Sequence, residues 1–211
     1  MAAAALLLFG WLGDAVMEGE RLRFDSFVRD TIHSWASPTL TSAMRVVTQF
    51  GSPAFLLAAT AILVWRLAND GRRRAAVLLV VAAIGAEVLD ELLKLVFHRQ
   101  RPQPFFGYLL PLTFSFPSGH SVSSCAFYGV AAAILTRGIR SRVRKALVWI
   151  GAALLAGLIG FSRIYLGVHY PSDVVAGYCV AIVWVAAVRW SYSVWLRRRS
   201  RDEAPISTPP A

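Results

Sequence analysis

Long apolar runs alternate with short polar, mostly basic breaks along this chain. Residues 2–17 (AAAALLLFGWLGDAVM) form an apolar block that meets Asp14 near its end. The block is shorter than the roughly 20 residues that span a bilayer comfortably. It lacks the basic leading region of a secretory signal, so it reads as a first span, with a signal anchor or an interfacial segment as the alternatives. From Phe24 to Trp35 the apolar positions Phe24, Phe27, Val28, Ile32 and Trp35 share one helical face, opposite Arg23, Asp25, Arg29 and Asp30. That pattern predicts an amphipathic helix lying on the membrane surface. Ser37-Pro38 and Ser52-Pro53 each read as a helix start, with serine as cap and proline in the first helical position. The second opens the run Ala54 to Ala68, where Trp65 and Arg66 serve as interface anchors.

Asn69-Asp70-Gly71 breaks that helix, and Arg72-Arg73-Arg74 precedes a third span from Ala75 to about Phe97. A polar loop follows, holding Arg99, Arg101 and prolines 102, 104, 111 and 117. A fourth span is expected from Gly119 to about Arg137, a fifth from Ala146 to Phe161 and a sixth from Ser172 to about Leu196. In the fifth, Ala152, Ala156 and Gly160 recur every four residues, the small-residue spacing that lets transmembrane helices approach closely. The expected fold is therefore all-α. It is a polytopic membrane helical bundle of about six transmembrane helices plus the surface amphipathic helix. One integral-membrane domain covers residues 1–196, and the basic tail 197–211 is polar, contains prolines and is expected to be disordered.

Composition sharpens this picture without changing it. The chain is 56% hydrophobic and 16% charged, a membrane balance rather than a soluble one. Its formal net charge of +10 would suggest nucleic acid in a soluble protein. Here the arginines cluster in the breaks 72–74, 137–145 and 197–201, which fall on one side if the spans alternate. The positive-inside rule makes that side cytoplasmic and places loop 98–117 and turn 162–171 on the extracytoplasmic face. The expected partners are membrane lipids and no nucleic acid. Cys125 and Cys179 both lie in apolar runs, so they read as small packing residues rather than a disulfide or a zinc site.

Three polar clusters then meet on that extracytoplasmic face. Lys94 precedes Arg101-Pro102 at the exit of the third span; Pro117-Ser118-Gly119-His120 opens the fourth; Ser162-Arg163, His169 and Asp173 join the fifth to the sixth. Charge at the edge of so apolar a segment is costly and calls for a reason. Taken singly, Lys94 is a snorkelling anchor, Pro-Ser-Gly-His a helix cap, and His169 with Asp173 a capping pair. Together they supply cations, imidazoles and a carboxylate, the set that phosphoryl transfer needs for positioning and charge stabilisation. A helix start at Ser118-Gly119 presents backbone N–H groups to an anion, and Gly119 removes the side chain that would hold a phosphate off. Asp173, four residues beyond His169, can accept from one imidazole nitrogen and leave the other to attack phosphorus. A protonated His120 can donate to the leaving oxygen.

These residues resemble the signature of the type 2 phosphatidic acid phosphatase family, within the lipid phosphate phosphatase and haloperoxidase superfamily. That signature is a Lys, six residues and Arg-Pro; then Pro-Ser-Gly-His; then Ser-Arg, five residues, His, three residues and Asp. All its positions are matched between residues 94 and 173. The resemblance implies His169 as nucleophile forming a phosphohistidine, His120 as proton donor and Asp173 as orienter. It implies Lys94, Arg101, Arg163, Ser118 and the Gly119 backbone as phosphate-binding groups, with no metal and no cofactor. The expected activity is a metal-independent membrane lipid phosphatase, acting on a phosphomonoester or diphosphate of a lipid phosphate substrate. Undecaprenyl diphosphate, phosphatidylglycerol phosphate and phosphatidic acid are the candidates by family likeness. A phosphotransferase passing the same intermediate to a hydroxyl, and a non-catalytic lipid-binding or transport protein, are the alternatives. Outside the signature, Asp90 and Glu91 lie four and three residues before Lys94, placed to fix its orientation or to read a polar headgroup. His98 and His120 alone do not make a metal-ligand set.

Overall fold

The computed structural model describes residues 1–19 and 23–202, with the backbone alone for 198–202, and every regular element among them is helical. Eight helices are found in these residues: α1 (Ala2–Met17), α2 (Arg23–Ser34), α3 (Pro38–Gln49), α4 (Pro53–Asn69), α5 (Arg73–Phe97), α6 (Gly119–Thr136), α7 (Arg142–Tyr165) and α8 (Pro171–Asp202). The expected all-α membrane bundle is thus observed. By length and composition α7 and α8 can each cross a membrane, and α3 with α4, bent by 46°, make a third span taken together. α1 is a shorter apolar helix. α5 is as long but carries Arg73, Arg74, Glu87, Asp90, Glu91 and Lys94. The expected count of six spans is therefore approximate.

Local chemistry sets the boundaries. The Ser37 and Ser52 side chains accept from Leu40 N–H and Phe55 N–H, each at 3.3 Å, with Pro38 and Pro53 in the first turn. Ser141 caps α7 in the same way, so the helix begins inside the basic linker rather than at Ala146. At its other end α7 runs on to Tyr165, which puts Arg163 on the helix and not in the turn after it. α5 ends where His98 adopts a left-handed conformation (φ 47°) and its N–H closes on Lys94 O. α8 continues past Arg197 to Asp202, so the start of the expected disordered tail is helical, and its remainder, 203–211, lies outside the described residues.

α6 is the central helix, packed against α4, α5, α7 and α8, while α1 rests on α8 and α3 on α7. Arg72 donates to Ile134 O at 3.2 Å, bringing the start of α5 to the end of α6. The opposite end of the bundle then gathers the C-termini of α5 and α7 with the N-termini of α6 and α8. Loop 98–118 folds over that end. Phe105 N–H bonds Leu166 O (3.0 Å), Ser115 N–H bonds Arg99 O (2.8 Å), and Phe116 is buried among the Phe9 and Phe97 rings. Gly167 meets Phe105 with φ 75°, and a Cβ there would lie 2.6 Å from Phe105 N, so the turn needs glycine.

α2 packs against α7 and α8 with part of its expected apolar face, Val28 and Ile32. Ile32 is buried against Tyr165 and Leu166, whereas Phe24, Phe27 and Trp35 are exposed. Asp25, expected on the water side, is 2% exposed. The reason is electrostatic: its carboxylate has partners at the start of α8 and in loop 98–118, and pairing there outweighs the apolar pattern.

The small-residue stripe of α7 is partly used. Gly160 lies under Tyr178 of α8, whose hydroxyl donates to Ala156 O at 2.8 Å. A Cβ on Gly160 would overlap the Tyr178 hydroxyl and sit 2.7 Å from Val174 Cγ1. Gly151, on the same helix, has open space around it. Gly160→Ala is expected to lower stability by about 1–3 kcal/mol through overpacking. Gly151→Ala should leave it unchanged, and thermal unfolding in detergent compares the two.

Candidate active site

The C-terminal ends of α5 and α7 and the N-terminal ends of α6 and α8 bring the three sequence clusters together. His169 lies in the turn between α7 and α8 and is 2% exposed. Its Nδ1 faces Asp173 Oδ2 at 3.4 Å, and its Nε2 faces Arg101 Nη1 at 2.9 Å. A guanidinium can only donate, so Nε2 accepts and Nδ1 carries the proton. This neutral tautomer is reinforced by its surroundings: burial first, then Arg101, Arg163 and Lys94, hold the His169 pKa well below the ordinary imidazole value.

Asp173 has no exposed surface. Besides His169 it accepts from Arg99 Nη1 at 2.6 Å, from Tyr170 N–H at 2.9 Å and from Ser115 Oγ. Its own carbonyl accepts from Ser118 N–H at 3.0 Å, which ties the start of α6 to the start of α8. One of the amide donors expected to be free at that helix start is therefore used. Those of Gly119 and His120 precede the first internal hydrogen bond of α6 and remain. Ser118 makes no side-chain cap and instead accepts from Ser121 Oγ at 3.1 Å. Gly177 of α8 lets the two helices meet, since a Cβ there would lie 2.8 Å from Ser118 O. His120 stands in the first turn of α6 near the α3–α4 bend, where a Cβ on Gly51 would lie 3.3 Å from its Cδ2.

The three cations are held by different means. Lys94 is buried, donating to Asp90 at 2.5 Å and to Glu91 at 3.0 Å, so both acids pair with it; Asp90 is 1% exposed and Glu91 is exposed. Asp90 Oδ1 has no partner among the described residues. Arg101 reaches Thr113 O (2.8 Å), Phe114 O (3.1 Å) and Val168 O (3.2 Å) besides His169. Burial and the nearby Arg163 lower its pKa. Arg163 is 2% exposed and donates to Thr48 Oγ1 at 2.8 Å, while its Nε finds no partner among the described residues. Unspent donors on buried cations are what an anion would satisfy.

Among known families, the PAP2 superfamily model matches residues 75–197. The chain belongs to the PAP2 superfamily. Phosphatidylglycerophosphatase B of Bacillus subtilis is 33% identical over 153 residues, 69% of this chain and 72% of that protein. An undecaprenyl-diphosphatase of Sulfolobus acidocaldarius is 32% identical over 145 residues, 66% of this chain and 65% of its own length. The crystal structure of a transmembrane PAP2 type phosphatidylglycerolphosphate phosphatase from Bacillus subtilis superposes with a TM-score of 0.82 at 26% identity, covering 92% of this chain and 96% of that one. This chain is thus a membrane protein of a PAP2-type lipid phosphatase family.

Every PAP2 signature residue lies in this one region, but sequence reasoning missed part of what surrounds them. Arg99, Asp25, Ser115, Ser172 and Thr48 all bond to signature residues or to their immediate partners. Arg99 looked like one more loop arginine, and Asp25 sits far away in the chain. His98, just past the end of α5, is exposed and stands edge to face with Phe114.

Gly119 tests how tightly the Asp90–Lys94 pair is set. A Cβ there would lie 2.5 Å from Asp90 Oδ2 and 3.3 Å from Lys94 Nζ, and Asp90 is held by its ion pair. Gly119→Ala should displace that pair and lower lipid phosphate hydrolysis about 10-fold or more through misplacement alone. Steady-state phosphate release, with a melting curve showing the fold intact, measures it.

Proposed function

We propose that this chain hydrolyses a phosphomonoester or diphosphate of a lipid at the extracytoplasmic membrane face, through a phosphohistidine on His169. The observation that carries this reading is the His169 imidazole itself. It is protonated on Nδ1 towards Asp173, and its Nε2 lone pair is directed at Arg101, among Lys94 and Arg163. In the free enzyme the guanidinium covers the lone pair. A phosphate entering between them takes up the Arg101 donors and exposes its phosphorus to Nε2.

In the first step Nε2 bonds to phosphorus and the bond to the leaving oxygen breaks, with His120 giving that oxygen a proton. Asp173 stabilises the positive charge that develops on His169. Lys94, Arg101, Arg163, Ser118 and the Gly119 amide hold the equatorial oxygens, where charge accumulates in the transition state. In the second step water attacks phosphorus, the P–N bond breaks and His120 recovers the proton. Three cations supply the charge stabilisation, so no step calls for a metal. Asp90 and Glu91 orient Lys94.

The substrate class is supported by where the site lies. It stands at the end of long apolar helices, so an amphiphile can keep its tail in lipid. A cleft of about 420 Å³ between α4, α5 and α6 is lined by Leu56, Leu57, Val64, Val80 and Ile84. It ends at Glu87, which accepts from Ser123 Oγ at 2.5 Å. Glu87 lies one turn before Asp90, and Ser123 one turn after Gly119. The names of the relatives, a phosphatidylglycerophosphatase and an undecaprenyl-diphosphatase, make phosphatidylglycerol phosphate and undecaprenyl diphosphate the first lipids to try. The basic starts of α5 and α7 lie at the opposite end of the bundle, which supports a cytoplasmic position for them and an extracytoplasmic site.

Phosphate release from a panel of lipid phosphates in detergent tests the reading. His169→Ala should lose about 10³-fold or more of kcat/KM, as removal of a nucleophile does. An acid-labile phosphoenzyme should form on the wild type and not on the variant. Activity should survive EDTA and fall with vanadate. A lipid alcohol accumulating as a new phosphate ester, in place of free phosphate, would show a transferase instead.

The pH dependence has a definite sign. The His169 pKa is lowered, so the attacking neutral form persists below about pH 6.5, and the acid limb of kcat/KM should lie below the ordinary histidine range. An acid limb at or above it would contradict the burial of His169 among cations.

A further inference from the structure

The surface helix α2 sends one charged side chain into the bundle, and the site described above does not use it. Asp25 Oδ1 accepts from Ser172 N–H at 2.8 Å; its Oδ2 accepts from Ser172 Oγ at 2.5 Å and from Arg99 Nη2 at 2.8 Å. Arg99 spends its other terminal nitrogen on Asp173 Oδ1 (2.6 Å) and Ser172 Oγ (2.7 Å), and its guanidinium lies 4.2 Å from the centre of the Tyr170 ring. Both terminal nitrogens are thus committed to α2 and to the first turn of α8. Burial pulls the Arg99 pKa down, but Asp173 and Asp25 outweigh it and its pKa is raised. Three charges, minus, plus, minus, run from α2 through loop 98–118 to the first turn of α8. Removing Arg99 leaves both buried carboxylates without their counter-charge, and removing either carboxylate leaves Arg99 with one ion pair in place of two.

We propose that Arg99 and Asp25 are positioning residues for phosphoryl transfer, fixing Asp173 against His169 Nδ1 by a two-sided clamp that α2 closes from outside the signature. The proposal rests on the reading of His169 as nucleophile. Asp173 Oδ2 is shared by Ser115, Tyr170 N–H and His169, and among the described residues only Arg99 holds Oδ1. Arg99 therefore decides the rotation of the carboxylate, and Asp25 decides where Arg99 sits. The hydrogen bonds of the phosphate-binding residues Lys94, Arg101 and Arg163 go elsewhere. The effect of the clamp should fall on turnover and on His169 titration, not on substrate binding.

The charges facing His169 are Arg101 from the loop, Asp173 from α8, Arg163 from α7, Lys94 from α5 and His120 from α6. Arg99 and Asp25 act on it through Asp173. Arg99→Gln leaves two carboxylates uncompensated, which favours the imidazolium, so the acid limb of kcat/KM should move to higher pH. Asp25→Asn leaves Arg99 to act on Asp173 alone, which disfavours the imidazolium, so the limb should move to lower pH. Both should lower kcat by up to about 100-fold through misplaced geometry. KM should stay within about twofold, because ground-state contacts are untouched. Arg99→Lys keeps the charge but loses the fork, so it should restore the limb and only part of kcat.

The measurement is kcat, KM and the pH profile of the full chain in detergent micelles holding a lipid phosphate, normalised to the folded fraction from size exclusion and melting. Opposite limb shifts with a kcat-only loss support the proposal. Folded variants with wild-type kcat and limb overturn it, and so does a loss of kcat with no limb movement, which marks a merely structural clamp. Should Arg99→Gln fail to fold, Asp25→Asn and Arg99→Lys, which change the clamp less, decide the same question. His169→Ala assayed alongside separates the two levels: activity retained there overturns the nucleophile reading, whatever the clamp variants show.

Discussion

A carboxylate sealed from solvent must be paired, and Asp173 is paired from every side. Arg99 holds one oxygen; Ser115, Tyr170 N–H and His169 share the other. The cost of burying an ion is several kcal/mol, and it is offset only by geometry this complete. Much of the surrounding structure follows from that requirement. Loop 98–118 must fold back to deliver Arg99 and Ser115, α8 must begin at Pro171 to present the Tyr170 amide, and α2 must lie across both to supply Asp25. The observed fold meets all three conditions at one end of the bundle.

On the other side of His169 the balance is reversed. Lys94, Arg101 and Arg163 bring three positive charges to one small region, and of the three only Lys94 has carboxylate partners among the described residues. Arg101 leans on backbone carbonyls and on the imidazole, and Arg163 on a threonine hydroxyl. Such a site carries more positive than negative charge, which is the balance the proposed phosphate binding calls for. Burial first, and then the same excess of cations, hold the His169 pKa well below the ordinary imidazole value. Membership of the PAP2 superfamily and the lipid phosphatases among its relatives fit that chemistry.

Much of the molecule was legible in the chain. Apolar runs and Ser-Pro starts located the helices to within a few residues, because capping and burial are local or periodic effects. The three motif clusters were legible for a related reason: their residue types are scarce in apolar surroundings and their spacing is short. What escaped was set by distance along the chain. Asp25 looked solvent-facing because a helix pattern weighs only its own face, and its partners lie more than seventy residues away. Arg99 was indistinguishable from an anchor, since nothing local tells a paired arginine from a hydrated one. The run of α7 on to Tyr165 was likewise not legible, since Tyr165 and Arg163 are buried against residues far away in the chain.

The sequence by itself determined the helical class, the alternation of spans with basic breaks, and the three polar clusters on which the proposed chemistry rests. These depend on hydropathy, on backbone hydrogen bonding in an apolar medium and on side-chain chemistry, all properties of short stretches. Only the tertiary structure decided which nitrogen of His169 is free, which cation covers it, and how Asp173 is held. Those answers depend on the direction of individual donors and acceptors within about 3 Å of one another. Directions of that kind exist only after helices far apart in the chain have packed.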